Sequence, residues 1–228
     1  MTRTVLHVGM PRTGTKWLQA EVFPKHPDIE FHCLYDWPKL VGLSQHPPKD
    51  KVRVISCEHW TDWRGGWKRI EREVALLCDL FGPATRILMV TRKPAELVES
   101  VYRYSVQHGG AIRWDTFRKK FAAEHAGWEL WENHKAVWQM HFHDFHHPTF
   151  DYLRGSPALF LNSIAQTVLE VRPFNGVNLT PTNTSLREPW LTVMQAVNCV
   201  SGTHDITQGR RPMGRLRRAI TAANGWGR

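Results

Sequence analysis

The stretch HVGMPRTGTKW, residues 7–17, decides the fold that this sequence predicts. It continues an apolar run, Thr4–Val8, and leads into a predicted helix, Thr15–Phe23, so that a strand, a glycine-containing turn and a helix follow one another. Gly9 and Gly14 have the spacing of the glycines in the nucleotide-binding pattern G-x-x-x-x-G-K-[ST]. Backbone amides of such a turn, at the start of a helix, bind phosphate oxygens. The stretch therefore predicts an anion-binding loop.

The end of this loop departs from the nucleotide triphosphatase pattern. In those enzymes a Ser or Thr after the lysine holds Mg²⁺, with support from an acidic residue that follows another strand. Here Thr15 precedes Lys16, and Trp17 occupies the hydroxyl position. No acidic residue follows an apolar stretch in a clear magnesium-binding context. We therefore expect a loop that binds phosphate without a metal, with Arg12 as an additional cation. A strand-to-helix turn without a ligand remains the alternative for the loop taken alone.

Composition restricts the class of protein. The chain has 228 residues, of which 42% are hydrophobic, and this predicts one domain over residues 1–228 with a sizeable core. A formal net charge of +9 favours an anionic partner such as nucleic acid, anionic lipid, an acidic glycan or a phosphorylated cofactor. No integral membrane segment is expected. The scattered cysteines, and an N-terminus without room for a signal peptide before the first strand, predict a cytoplasmic protein.

The apolar periodicity predicts an α/β fold. Strands are expected at Lys51–Ser56 and Arg86–Val90, and helices at Trp67–Phe81 and from Pro94 onward. Residues 24–50 are rich in proline and histidine and are predicted to be irregular. Strand, loop and helix thus occur three times in succession, which is typical of a three-layer α/β/α architecture with a central, mainly parallel sheet. Such folds bind ligands at the carboxyl ends of their strands.

Two more groups of polar residues follow predicted strands. TRKPAELVESVYRYS, residues 91–105, has Arg92 at a strand end and Ser100 eight residues later in the next helix, a pair suited to a second phosphate. In ISCEHW, residues 55–60, Glu58 and His59 follow the second predicted strand, and either side chain has the chemistry of a general base toward an acceptor hydroxyl. Each group alone also fits an ordinary polar loop or a solvated helix start.

Taken together, these motifs resemble those of a known family. PRTGTKWL is similar to the 5′-phosphosulfate loop of sulfotransferases, commonly P-K-x-G-T-T-W-L, and RKPAELVESVYR is similar to their 3′-phosphate motif. The resemblance implies a P-loop NTPase-like sulfotransferase fold. It also implies transfer of a sulfuryl group from 3′-phosphoadenosine 5′-phosphosulfate (PAPS), with no metal required. The order of the motifs and their position after predicted strands make the match specific.

The resemblance implies a role for each matching residue of the donor site. The 5′-phosphosulfate would be held by Arg12, Thr13, Gly14, Thr15, Lys16 and Trp17. Arg12 replaces the usual loop lysine and would neutralise the phosphate as the sulfuryl group leaves. Lys16 replaces a frequent threonine. Arg92 and Ser100 would bind the 3′-phosphate.

The acceptor side is less completely specified. SCEHW resembles the Ser-x-Glu stretch of bacterial members, so Glu58 is favoured over His59 as the base in a direct, in-line transfer. The acceptor is expected to be a small metabolite or a glycan with a hydroxyl or amine group. Its contacts are expected near Tyr35, Asp36 and Trp37, on position alone.

Three further segments have weaker signals. HFHDFHH, residues 141–147, suggests a metal site, but its spacing does not fit a closed one, and no metal is predicted. PTNTSL, residues 181–186, resembles a C-terminal region of bacterial members. The basic tail, residues 209–218, is either a cover for the nucleotide or a solvated end.

Two alternative functions remain open at this point. A P-loop kinase would need magnesium and a hydroxyl residue after the loop lysine, and Trp17 argues against it. A nucleic-acid-binding protein would combine basic and aromatic residues on one continuous face. The cations here follow strand ends in the order of a cofactor site, so the enzyme is favoured and no nucleic acid partner is expected. The sequence does not give the oligomeric state.

Overall fold

The computed structural model describes residues 3–61, 67–124, 130–179 and 190–200. The chain divides into two compact units. The first combines residues 1–93 with 129–182, and the second combines residues 94–128 with 183–228. The predicted single domain over residues 1–228 stays a prediction.

The described part of the first unit contains a five-stranded parallel sheet. Its strands are β1 (Thr4–Val8), β2 (Ile29–Cys33), β3 (Val52–Cys57), β4 (Arg86–Leu88) and β5 (Phe145–His146). Their order is β2-β3-β1-β4-β5, and every neighbouring pair is parallel. In the register, Leu6 of β1 lies opposite Ile55 of β3 and Ile87 of β4. The predicted mainly parallel sheet is confirmed, and β1, which leads into the glycine loop, lies at its centre.

Helices follow the strands. In chain order they are α1 (Thr15–Trp17), which continues through a π-helical turn (Leu18–Val22) and a 3₁₀ turn (Phe23–Lys25), then α2 (Trp37–Gln45), α3 (Trp67–Phe81), α4 (Pro94–Gln107), α5 (Trp114–Glu124), α6 (Leu130–His141), α7 (Phe150–Gly155), α8 (Pro157–Ile164), which continues as a π-helical turn (Ala165–Leu169), and α9 (Trp190–Val200). Helices α4, α5 and α9 belong to the second unit. No described helix is long and apolar enough to cross a membrane.

Both faces of the sheet are covered by helices, as the three-layer prediction requires. Because side chains alternate along a strand, Val5 and Leu6 enter different layers. Val5 joins an apolar cluster with Leu18, after α1, and Phe160 of α8. In the other layer α3 packs against α2 and α6 and buries Ile70 within its apolar stripe.

The prediction of an irregular segment over residues 24–50 is wrong. This segment contains β2 and α2. Strand β2 lies at the edge of the sheet, where a partly polar sequence with only five residues is sufficient. Helix α2 begins in the standard way, since the Asp36 side chain accepts a hydrogen bond from the Lys39 amide at 3.2 Å and Pro38 lies in the first turn. Proline thus starts a helix here, although its frequency suggested a loop.

The second unit has its own apolar cluster. Tyr102 and Val106 of α4 pack with Leu191 and Met194 of α9, and Trp114 of α5 covers them. As predicted, α4 begins at Pro94 and ends before the two glycines at 109 and 110.

A buried histidine, His134 of α6, packs against α3. No part of His134 is exposed to solvent, and its ring centroid lies 4.7 Å from that of Trp67. Neither ring nitrogen has a hydrogen-bond partner among the described residues. Burial lowers the pKa of His134 to about 4, because a charged imidazolium would have lost its water without a compensating partner. The folded chain therefore keeps this side chain neutral.

His134 should make stability depend on pH. The unfolded chain takes up this proton near pH 6.5, whereas the folded chain resists it to about pH 4, so the contribution is complete above pH 6.5 and is lost as the pH falls toward 4. Between pH 6.5 and 4.5 the free energy of unfolding should fall by about 2 kcal/mol more in the wild type than in His134→Phe.

Urea denaturation at a series of pH values measures this difference. His143→Gln is the control, because His143 is exposed. Equal pH dependence in the wild type and His134→Phe would contradict the assignment.

Candidate functional site

The loop after β1 has a strained, closely held backbone. Arg12 has a φ of 64° and Gly14 a φ of 80°, so both adopt the left-handed conformation. A side chain is rarely tolerated there, and Arg12 is therefore an outlier of the kind found at functional sites. The Thr13 hydroxyl is buried and donates to the Met10 carbonyl oxygen at 2.7 Å. This bond closes the turn from inside.

The strand next to β1 also holds the loop. The Gly9 amide donates to the Cys57 carbonyl oxygen at 3.3 Å, and the Thr61 hydroxyl donates to the Gly9 carbonyl oxygen at 2.6 Å. A Cβ atom at Gly9 would lie 2.4 Å from a methyl carbon of Thr15, so only glycine fits without movement. The loop is thus preorganised, which lowers the cost of binding an anion.

Arg92 contacts this loop from the end of β4. Its guanidinium donates to the Arg12 carbonyl oxygen at 3.1 Å and lies 4.7 Å from the centroid of the Phe150 ring. The structure therefore brings together the two stretches that carry the family resemblance, at the carboxyl ends of neighbouring parallel strands. The Arg12 carbonyl oxygen and the Phe150 ring thus hold the guanidinium beside the loop.

Glu58 lies beside the cations of the loop. It follows β3 and is half-buried, whereas His59 is exposed. Burial raises the pKa of the Glu58 carboxyl, and the nearby charges of Lys16, His59 and Arg12 partly offset this rise. The structure thus brings together Glu58 and both predicted cations of the loop. A half-buried carboxylate close to two cations can accept a proton from a neighbouring hydroxyl.

The remaining predicted residues of the loop face different surroundings. Lys16 is exposed, and Thr15 is buried. Trp17 is only 7% exposed, lies in the apolar cluster of α1 and α8, and donates its indole N–H to the Asn178 carbonyl oxygen at 2.9 Å. Trp17 therefore anchors the start of the helix, while the predicted contacts of these residues with a phosphosulfate stay predictions.

Ser100 is described within the second unit. It is 3% exposed and lies in α4. Its predicted role at a 3′-phosphate stays a prediction.

Sequence reasoning missed two residues of α3 that support the site. The Glu73 carboxylate accepts hydrogen bonds from the Arg69 guanidinium at 3.0 and 2.9 Å and from the Tyr35 hydroxyl at 2.5 Å. Glu73 is 4% exposed. The sequence held a signal, because Glu73 stands three residues after Ile70 on the buried stripe of α3, where an apolar side chain is expected.

The histidine-rich segment 141–147 has a structural use. Asp144 binds His146 at 2.6 Å and Arg86 at 2.7 Å, and Arg86 also binds Glu170 at 2.9 Å. These bonds tie β4 to β5. Within the described ranges, no group of three His, Cys, Asp or Glu side chains is placed to hold a metal ion. The stretch 181–186 and the basic tail 209–218 lie outside the described residues.

Comparisons with known proteins give a similarity to solved structures only. No protein-family model and no curated protein matches the chain. Among solved structures, the chain is similar to mouse sulfotransferase SULT7A1 complexed with PAP, at 15% sequence identity and a TM-score of 0.48. The alignment covers 92% of this chain and 67% of that chain. At this level of similarity, no residue role is transferred to this chain.

The loop geometry predicts unequal effects of two glycine substitutions. In Gly14→Ala the alanine backbone would have to keep a φ of 80°, and its methyl group would lie 2.7 Å from a terminal carbon of Leu153. We expect the free energy of unfolding to fall by about 1–2 kcal/mol. Gly42→Ala is the matched control, since Gly42 lies in α2 with nothing within 4 Å of the added atom. It should raise stability by about 0.5–1 kcal/mol. Urea denaturation compares them, and equal effects would refute the geometry.

Proposed function

We propose that this protein is a sulfotransferase that transfers the sulfuryl group of PAPS to a hydroxyl or amine of a carbohydrate or small-metabolite acceptor. The observation that carries the proposal is the hydrogen bond from Arg92 to the Arg12 carbonyl oxygen at 3.1 Å. It joins a metal-free type of phosphate loop to the stretch that resembles a 3′-phosphate motif. A nucleotide with separate 5′ and 3′ anionic groups needs two such cationic positions.

The residues present fit a nucleotide bisphosphate. The loop leads into α1 and the helical turns that continue it, and Arg12 and Lys16 add two positive charges. Arg92 adds a third cation at the next strand end. The net charge of +9 agrees with an anionic ligand. In the resemblance, Ser100 would complete the 3′-phosphate contacts.

The proposed chemistry is a direct, in-line transfer. PAPS supplies an activated sulfuryl group when bound. Glu58 takes the proton of the acceptor hydroxyl while the acceptor oxygen forms its bond to sulfur. The bond between sulfur and the bridging phosphate oxygen breaks, and Arg12 and Lys16 stabilise the charge that remains on the phosphate.

Glu58 fits the role of base better than His59. Burial raises the pKa of Glu58, so its carboxylate binds a proton more strongly than an exposed one does. His59 packs its ring against Tyr35, with centroids 5.1 Å apart. A ring packed in this way is suited to line the site.

Isothermal titration with adenosine 3′,5′-bisphosphate in EDTA tests the donor site. The wild type should bind, and Arg92→Ala should bind about 10- to 100-fold more weakly, because a hydrogen bond to a charged group is lost. Arg172→Ala is the matched control, since Arg172 is exposed and pairs with Asp28. Its affinity should equal that of the wild type. If the protein instead binds only ATP, and only with magnesium, the result would support a kinase.

Exchange of the base tests the acceptor side. Glu58→Gln keeps the shape of the side chain but should lower kcat by about 10²- to 10⁴-fold, measured as transfer of ³⁵S from labelled PAPS to a panel of sugars and phenols. In the wild type the rate should fall as the pH drops through the raised pKa of Glu58, because the base must be deprotonated. His59→Gln should retain kcat at saturating acceptor and this pH limb. The reverse pattern would make His59 the base.

A further inference from the structure

Two aromatic rings form a wall beside Glu58. Tyr35 follows β2 and His59 follows β3, and their ring centroids lie 5.1 Å apart with an interplanar angle of 43°. The edge of Trp37 approaches Tyr35, with centroids 6.5 Å apart. Tyr35 is 42% exposed, an unusual value for a large side chain at the end of a buried sheet. We call Tyr35, Trp37 and His59 the aromatic wall.

An ion pair between the buried Glu73 and the partly exposed Arg69 holds this wall from behind. The Tyr35 hydroxyl donates to Glu73 at 2.5 Å, and Arg69 binds the same carboxylate through both of its oxygens. Arg69 also donates to the His59 carbonyl oxygen at 3.1 Å. One carboxylate therefore holds the side chain of Tyr35 and, through Arg69, the backbone of His59. Two of the three members of the wall, Tyr35 and His59, are therefore linked to a single buried carboxylate.

The hydroxyl of Tyr35 is occupied by its hydrogen bond to the buried Glu73 carboxylate. Burial and the hydrogen bond to Glu73 raise the pKa of Tyr35, so the hydroxyl remains a donor to that carboxylate. The ring of Tyr35 is thereby left partly exposed to solvent as an apolar surface. Such a surface contacts the flat face of another ring.

The Glu73 carboxylate is costly to bury, which points to a geometric use. Glu73 stands on the apolar stripe of α3, where an apolar side chain would pack without losing water from a charge. The Glu73 carboxylate accepts hydrogen bonds from Tyr35 and Arg69, and Arg69 in turn binds the backbone of His59. A buried pair of this kind contributes specific geometry more than stability.

We propose that the aromatic wall is the acceptor subsite and that it takes one face of an uncharged ring of the molecule that carries the accepting hydroxyl. Glu73 and Arg69 are its positioning residues. This inference rests on the proposed function and adds the shape of the acceptor. A ring stacked on Tyr35 and His59 lies next to Glu58, the neighbour of His59 in the chain, which is the group proposed to take the proton.

Binding of two ring probes tests the wall. Saturation-transfer NMR is recorded with 2-naphthol and with methyl β-D-glucoside, on protein saturated with adenosine 3′,5′-bisphosphate. At least one probe should bind the wild type through its ring protons. Tyr35→Leu should weaken that binding about tenfold or more, because the stacking face is lost. Tyr104→Leu is the control, since Tyr104 is 38% exposed and packs on His108 with centroids 3.8 Å apart.

Two further variants separate positioning from a general role in folding. Tyr35→Phe keeps the ring but loses the bond to Glu73, and Glu73→Gln keeps the shape but loses the charge. Both should weaken the ring probe several-fold and, with an active acceptor, raise KM more than they lower kcat. Affinity for adenosine 3′,5′-bisphosphate should remain within twofold of the wild type in both. A merely structural role would change both affinities together.

The outcomes distinguish this inference from the proposed function. If the wild type binds the bisphosphate but neither ring probe, or if Tyr35→Leu binds the probe as the wild type does, the inference is overturned and the donor site stands. If the wild type does not bind the bisphosphate, the proposed function fails and the inference fails with it. Binding of either probe that depends on Tyr35 supports the wall and shows which kind of ring it takes.

Discussion

The hydrogen bond from the Arg92 guanidinium to the carbonyl oxygen of Arg12 links the loop after β1 to the end of β4. The acceptor residue, Arg12, adopts a left-handed conformation, with a φ of 64°, that a residue with a side chain rarely takes. The strain is sustained by the buried Thr13 hydroxyl on one side and, on the other, by the bonds of Gly9 to Cys57 of β3 and to Thr61. The candidate site depends on this fixed turn, since it sets where Arg12, Lys16 and Arg92 stand.

The order of the strands explains why the chemistry converges. β1 lies between β3 and β4, and all three are parallel, so the segments that leave their carboxyl ends meet at one edge of the sheet. The phosphate loop follows β1, Glu58 follows β3, and Arg92 follows β4. β2 brings Tyr35 to the same edge beside β3. The order and direction of the strands are therefore sufficient to bring the proposed base, the anion site and the aromatic wall to one edge of the sheet.

Local sequence signals predicted the elements whose pattern is strong. The strands β1 and β4 were recognisable as short apolar runs, and β3 and α3 because their side chains repeat with the period of the element. β2 and α2 were missed because an edge strand tolerates Glu30 and His32, and because Pro38 was counted as a loop residue although it starts a helix. The order of the strands and their register depend on contacts between distant parts of the chain, which no local sequence pattern contains.

The site was predictable to the extent that it follows strand ends. Arg12, Lys16, Glu58 and Arg92 could be named from spacing and resemblance. Trp17 matched the same motif, yet its indole lies in the apolar cluster, since a motif letter does not state which way a side chain faces. Glu73 could not be linked to Tyr35 without the fold, because their hydrogen bond joins residues 38 positions apart in the chain.

The most direct measurement of the central claim is a crystal structure of the protein with adenosine 3′,5′-bisphosphate in EDTA. The account predicts the 5′-phosphate within hydrogen-bonding distance of the backbone amides of residues 13–16, and the 3′-phosphate on the Arg92 guanidinium. Glu58 should lie open on the side where the sulfuryl group would project. A nucleotide bound elsewhere, or a loop that binds phosphate only after magnesium is added, would contradict the account.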